Sequence, residues 1–249
     1  MHYIINNMPQ IDAVFFDLAG TLFSLRDIRD PFGVVLYELA IDAGLEPDSK
    51  NLAAAYRQGL GEAFLEIGSE PFYLHRDLFS QALVGFLKYF GASPNKEIID
   101  KALEGQRMVT VGKTSLRPGS KETLVKLKDM GIKVGVVSNI DDDYFDEILN
   151  RFEIDNLIDV SLSSETAKSC KPDKQIFVMA CSMANVNPQN AIFVGDTPSA
   201  DVYGAKKAGM KAALIVEEGS RRPRPANDEQ IPDWEISTIP NVLELLEGK

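Results

Sequence analysis

The sequence predicts an α/β protein: a doubly wound parallel sheet with a Rossmann-like core, interrupted by an inserted α-helical domain. Three observations point there. Short continuous apolar runs alternate with helix-length amphipathic segments over the second half of the chain, the pattern of strands buried on both faces of a parallel sheet. One such run, Ile11 to Phe16, stands alone near the start. Between it and the alternating region, residues 24–113 contain four helix-length apolar patterns and nothing that reads as a central strand.

Ile11 to Phe16 is the first expected strand, and Gly20-Thr21 turns the chain out of it. Helices are expected over Phe32 to Ala43, Leu52 to Ile67, Leu74 to Phe90 and Ile98 to Val109, punctuated by Gly44, Gly68, Gly91 and Gly112. Pro118-Gly119-Ser120 opens a helix carrying Leu124, Leu127 and Met130, and Gly131 stops it. Ile132 to Val137 is a strand ending at Ser138-Asn139. Then follow a helix over Tyr144 to Phe152, a weaker strand over Leu157 to Leu162, and a helix with Pro172 as its first residue. Ala191 to Val194 is a strand, Ser199 caps a helix through Ala208, and Lys211 to Val216 is another strand. Pro223, Pro225 and Pro232 mark a loop, and Asn241 to Leu246 is a short helix. The expected division is a core of residues 1–23 and 114–249 and a cap of residues 24–113.

Bulk properties narrow the function. At 249 residues the chain can bury a sizeable core. Its net charge of −11 argues against nucleic acid or an anionic membrane as partner. No apolar run is long enough to span a bilayer, and Met1 to Asn7 lacks a basic region followed by a long apolar run. The two cysteines, Cys170 and Cys181, form no CxxC and read as free thiols, which fits a cytoplasmic setting. The oligomeric state is left open.

Two strand patterns end on aspartate: Val14-Phe15-Phe16-Asp17 and Ile192-Phe193-Val194-Gly195-Asp196. Carboxylates at the C-terminal ends of neighbouring parallel strands can share one hard cation. Ser138, Lys171 and Asp201 also fall at strand ends or helix starts, which in a parallel sheet can converge with them. Together these types suit phosphoryl transfer. A carboxylate attacks phosphorus, a divalent ion bridges to phosphate oxygens, and a hydroxyl and an ammonium hold the remaining oxygens.

The ordered motifs DLAGTL (Asp17 to Leu22), VVSN (Val136 to Asn139), CKPDKQIF (Cys170 to Phe177) and VGDTPSADVYGAKKAGM (Val194 to Met210) resemble those of the haloacid dehalogenase (HAD) superfamily, in its branch with a helical cap after the first motif. The resemblance implies a Mg²⁺-dependent hydrolase acting on a small phosphorylated metabolite. Asp17 would be the nucleophile and a metal ligand, and Ser138, Asn139 and Thr21 would bind substrate, Thr21 mainly by orienting Asp17. Lys171 would steady both the nucleophile and the phosphate. Asp196 would be the acidic metal ligand, and Asp201 a further ligand or a steadying residue just outside the metal's own ligands. The backbone carbonyl of Ala19 would complete the set.

Ala19 is the departure. Phosphatases of that family usually carry a second aspartate there, which protonates the leaving oxygen and then activates water. A positioned acid or base contributes roughly 100- to 10,000-fold in rate, or about 3–5 kcal/mol of barrier. Four readings stay open: a phosphatase with another source of the proton; a hydrolase resembling phosphonoacetaldehyde hydrolase, which forms a Schiff base on a cap lysine (here Lys50, Lys88, Lys96 or Lys101); a phospho-ligand-binding protein without turnover; and a substitution introduced to trap phosphate. A dehalogenase is disfavoured, because that chemistry needs no metal and Asp196 is a metal-type carboxylate. Arg26, Tyr56, Arg57, Glu62, His75 and Arg76 are cap candidates for substrate contact by chemistry alone. The remaining polar features read as background: Asp141-Asp142-Asp143 as a solvated helix start, His2 and His75 as bystanders, Arg221 to Arg224 as a basic loop.

Overall fold

The computed structural model describes residues 10–46, 48–219 and 222–246. Met1 to Asn7, including His2, lies outside the described residues, as do Arg221 and the side chain of Lys50.

Among the described residues the sheet has six strands, all parallel, in the order β3-β2-β1-β4-β5-β6. They are β1 (Ala13–Phe16), β2 (Lys133–Ser138), β3 (Val160–Ser163), β4 (Ala191–Gly195), β5 (Lys211–Ile215) and β6 (Trp234–Ile236). The chain winds from β1 outward to β3, then returns to the other side of β1 with β4. That reversal opens a crevice at the carboxyl ends of β1 and β4.

Side-chain alternation along the strands builds two cores. Val14, Phe16, Val134, Val136, Ile192 and Val194 face one side, with α5 (Ser120–Asp129), α6 (Asp142–Phe152) and α10 (Val242–Leu246) over them. Ala13, Phe15, Val137 and Phe193 face the other, under α8 (Lys174–Ala184) and α9 (Tyr203–Lys207). Both faces of β1 are fully buried, which is why its sequence is apolar at every position.

Between β1 and α5 come α1 (Arg26–Asp42), α2 (Ser49–Ile67), α3 (His75–Tyr89) and α4 (Lys96–Lys113). They have apolar clusters of their own, around Leu36, Leu39, Leu83 and Phe86 and around Ala63, Leu78 and Ala82. Helices α2 and α3 cross closely at Gly59 and Gly85: a Cβ on Gly85 would lie 2.6 Å from the Gly59 Cα. No larger residue fits that contact without moving a helix.

Several local expectations are corrected. Helix α8 begins at Lys174 rather than Pro172; the Lys171–Pro172 peptide is cis, and Asp173 is the cap, its carboxylate accepting from Gln175 N at 2.9 Å. Ser199 does not cap a helix. Pro198–Val202 form a wide π-type turn ahead of α9, held by Asp201 Oδ2 accepting from Thr197 N at 2.9 Å. The expected Leu157 to Leu162 strand begins only at Val160; Leu157 closes a 3₁₀ turn, Asp155–Leu157. Strand β6 and the one-turn α7 (Ser164–Ala167) were not expected. Both are too short for a periodicity to register.

Candidate active site

Residue Phe16 of β1 is level with Val136 of β2 and Val194 of β4. One residue on from Phe16 is Asp17. Two on from Val136 is Ser138, and two on from Val194 is Asp196. Parallel register therefore delivers all three to one rim of the sheet. Asp17 N donates to the Val194 carbonyl at 2.8 Å, fixing its backbone against β4.

The buried side chains converge. Ser138 Oγ donates to Asp17 Oδ1 at 3.2 Å. Lys171 Nζ donates to the same oxygen at 2.6 Å, to Asp201 Oδ1 at 2.7 Å and to the Val137 carbonyl at 3.3 Å. Asn139 grips the Lys171 backbone from both sides: its Oδ1 accepts from Lys171 N at 2.7 Å and its Nδ2 donates to Lys171 O at 2.9 Å. Thr197 Oγ1 donates to Asp196 Oδ1 at 3.0 Å. Asp17 Oδ2 and Asp196 Oδ2 receive no protein hydrogen bond among the described residues. Gly20 sits at φ +88°, and a Cβ there would collide with the Asp196 carboxylate. Glycine lets the turn after Asp17 close onto Asp196. Thr21 is fully buried beside this turn, with its Oγ1 unpartnered.

Carboxylate oxygens of Asp17, Asp196 and Asp201 all lie within 4.8 Å of one another. Against three carboxylates stands one ammonium, that of Lys171. Burial works to strip its proton, but the charges of Asp17 and Asp201 and their hydrogen bonds outweigh that and hold it above the ordinary lysine range. Burial, with the charges of Asp17 and Asp201, pushes Asp196 up to about 7. Burial also raises Asp201, against the pull of Lys171. An all-oxygen donor set with surplus negative charge, and with one oxygen of Asp17 and one of Asp196 uncommitted, fits a hard divalent cation.

The sequence missed the contacts that join the inserted helices to this rim. Asp141 is buried, not solvated as expected. Its two oxygens accept from His75 N and Arg76 N, each at 2.8 Å. Helix α3 has no side-chain cap of its own, so a carboxylate 66 residues away supplies it. Arg76 pairs with Glu165 at 2.7 Å, and Cys170 N donates to the Pro71 carbonyl at 2.7 Å. His75 is buried; burial and the nearby Lys171 charge lower it to about 4, so it is neutral near pH 7. The signal for these partners is tertiary, and one sequence carries none of it.

The other candidates are held elsewhere. Tyr56 packs among the apolar residues of the inserted helices. Glu62 accepts from Gln58 at 2.9 Å, and Arg57 is exposed. Lys96 and Lys101 pair with Asp100 and Asp42 on exposed surface, and Lys88 is exposed too. None of these three lysines offers a buried amine for a Schiff base. Both cysteines are free and buried. No described helix is long and apolar enough to cross a membrane.

Comparison with known proteins gives a consistent result. The family model of haloacid dehalogenase-like hydrolases matches residues 11–209. A glyceraldehyde 3-phosphate phosphatase from Methanopyrus kandleri is 29% identical over 237 residues, covering 95% of this chain and 97% of its own. The (S)-2-haloacid dehalogenase 4A of Burkholderia cepacia is 33% identical over 218 residues, covering 86% of each. Among solved structures, an HAD phosphatase from Thermococcus onnurineus superposes with a TM-score of 0.68 at 26% identity, covering 96% of this chain and 99% of that one.

Proposed function

Since this chain belongs to the haloacid dehalogenase-like hydrolases, we propose that it is a Mg²⁺-dependent phosphatase that hydrolyses a small phosphorylated metabolite through an aspartyl-phosphate on Asp17. The observation that carries this reading is the state of the Asp17 carboxylate. One oxygen is tied down by Ser138 and Lys171, and the other is left without a protein donor beside Asp196.

In this reading the Asp17 carboxylate attacks phosphorus and the substrate's ester oxygen leaves; water then cleaves the aspartyl-phosphate, freeing Asp17 and inorganic phosphate. Lys171 orients the carboxylate, and its ammonium, with the Ser138 hydroxyl, stabilises charge on the phosphoryl oxygens. Asn139 places Lys171 through its backbone. Asp196, Asp17 and the Ala19 carbonyl would hold the metal, which supplies charge neutralisation and a template for the phosphate oxygens. Asp201, with both oxygens already taken by Lys171 and Thr197, orients rather than ligates. Residues 24–113 act as a cap over the rim and supply the substrate pocket. Asp196 separates this reading from a haloacid dehalogenase: displacement of halide by Asp17 needs no metal and so no second ligating carboxylate beside it, whereas a metal site does.

The test is p-nitrophenyl phosphate hydrolysis with and without Mg²⁺, on the wild type and Asp17→Asn. Turnover that needs the ion and is lost in Asp17→Asn is expected. Metal-independent turnover, or full activity in Asp17→Asn, contradicts the mechanism. Release of chloride from 2-chloropropionate would instead support dehalogenation.

A further inference from the structure

Beside Asp196 lies a cavity of about 190 Å³ whose wall includes Gly20, Arg26, Arg29, Arg117, Asp196 and Glu217. Three guanidiniums around so small a space stand out in a chain of net charge −11. Arg26 pairs with Glu217 at 3.4 Å and donates to the Glu218 carbonyl at 2.9 Å. Arg117 reaches the same carboxylate at 3.2 Å and donates to the Gly20 carbonyl at 2.6 Å. One carboxylate thus serves two guanidiniums, and Arg29 adds a third positive charge. The other acid in the wall, Asp196, is assigned above to the cation. The Arg117 side chain is 11% exposed, and its buried Nε–H has no partner. Leaving a buried donor unmade is unfavourable, so a ligand oxygen accepting from it would be held firmly. A network that served only to tie two loops together would need neither the cavity nor Arg29.

We propose that this cavity is an anion subsite, taking a second oxyanion group, carboxylate or phosphate, of the molecule whose phosphoryl group sits over Asp17. Gly20 and Asp196 line both the cavity and the carboxylate cluster, so one small ligand spans the two. Guanidinium forks match the planar carboxylate and the phosphate face alike. The inference rests on the phosphatase reading and narrows its substrate class to small metabolites charged at both ends.

Calorimetric affinities on Asp17→Asn, which cannot be phosphorylated, test it with three probes: glycerol 3-phosphate, 3-phosphoglycerate and a sugar bisphosphate. At least one doubly charged probe is expected to bind about tenfold or more tighter than glycerol 3-phosphate, by charge-assisted hydrogen bonds. Which one does so identifies the oxyanion. Arg29 is exposed, so its replacement does not threaten the fold. Adding Arg29→Gln should bring the preference to within about twofold, with Arg29→Lys intermediate. Equal binding of all three probes, or a preference untouched by Arg29→Gln, overturns the subsite. If the wild type still hydrolyses glycerol 3-phosphate, only the subsite falls. If no probe binds and p-nitrophenyl phosphate is not hydrolysed either, the phosphatase reading falls and takes the subsite with it.

Discussion

Ala19 leaves a chemical gap two residues from the proposed nucleophile, since a methyl side chain can neither give nor take a proton. His75, lowered to about 4, is neutral near pH 7. Turnover should therefore depend on the leaving group. Aryl and acyl phosphates, whose leaving oxygens need no proton, should react much faster than alkyl phosphates. Ala19→Asp should raise alkyl-phosphate kcat at least about tenfold, the low end of general acid–base catalysis. Equal, high rates on both substrate types would mean that another residue donates the proton. No gain from Ala19→Asp would favour ligand binding without turnover. At this scale the sequence was informative where chemistry and strand ends coincide: Asp17, Ser138, Lys171, Asp196 and Asp201 meet in space. It misread Asp141 as part of a solvated helix start and His75 as a bystander, because the two meet across more than 60 residues and no local pattern encodes a cap borrowed across the fold.

Helix α3 shows how an element can depend on a residue outside it. Leu74 precedes it and offers no side-chain oxygen, yet the apolar spacing of Leu78, Ala82, Leu83 and Phe86 was enough to foresee the helix. Pattern set the element, while its anchorage comes from Asp141, three residues beyond Ser138. Asp141→Ala should cost about 1 kcal/mol, the usual loss of a helix cap. In a chain this long that lowers the melting temperature by roughly 2–4 °C. Asp141→Asn keeps one acceptor and should recover part of the loss. Because Asp141 shares a loop with Ser138, phosphate-ester KM should rise in Asp141→Ala as well. A changed melting temperature with unchanged KM would mean that the contact is purely structural. The boundaries that sequence misplaced, at Pro172 and Ser199, share a cause. There the backbone follows Asp173 and Asp201, whose side chains accept backbone N–H bonds, and helix-start statistics describe neither geometry.

The stability of the whole molecule is coupled to the charge of this rim. Three carboxylates share it with one ammonium, and Asp196 is held up at about 7 against the 3.8 usual for an aspartate. In the metal-free protein the folded state keeps a proton there that the unfolded chain releases. Stability from this group is thus present at low pH and lost as pH rises from about 4 through about 7. A divalent cation reverses that penalty, since it needs the carboxylate ionised and competes with the proton. Millimolar Mg²⁺ should therefore raise the melting temperature clearly at about pH 8 and little at about pH 5.5. Asp196→Asn removes both the repulsion and the ligand. It should make the metal-free protein more stable than the wild type at about pH 8 and abolish the Mg²⁺ response. A Mg²⁺ shift of equal size at both pH values, or one that survives Asp196→Asn, would place the ion's binding elsewhere on a surface that carries acid in excess.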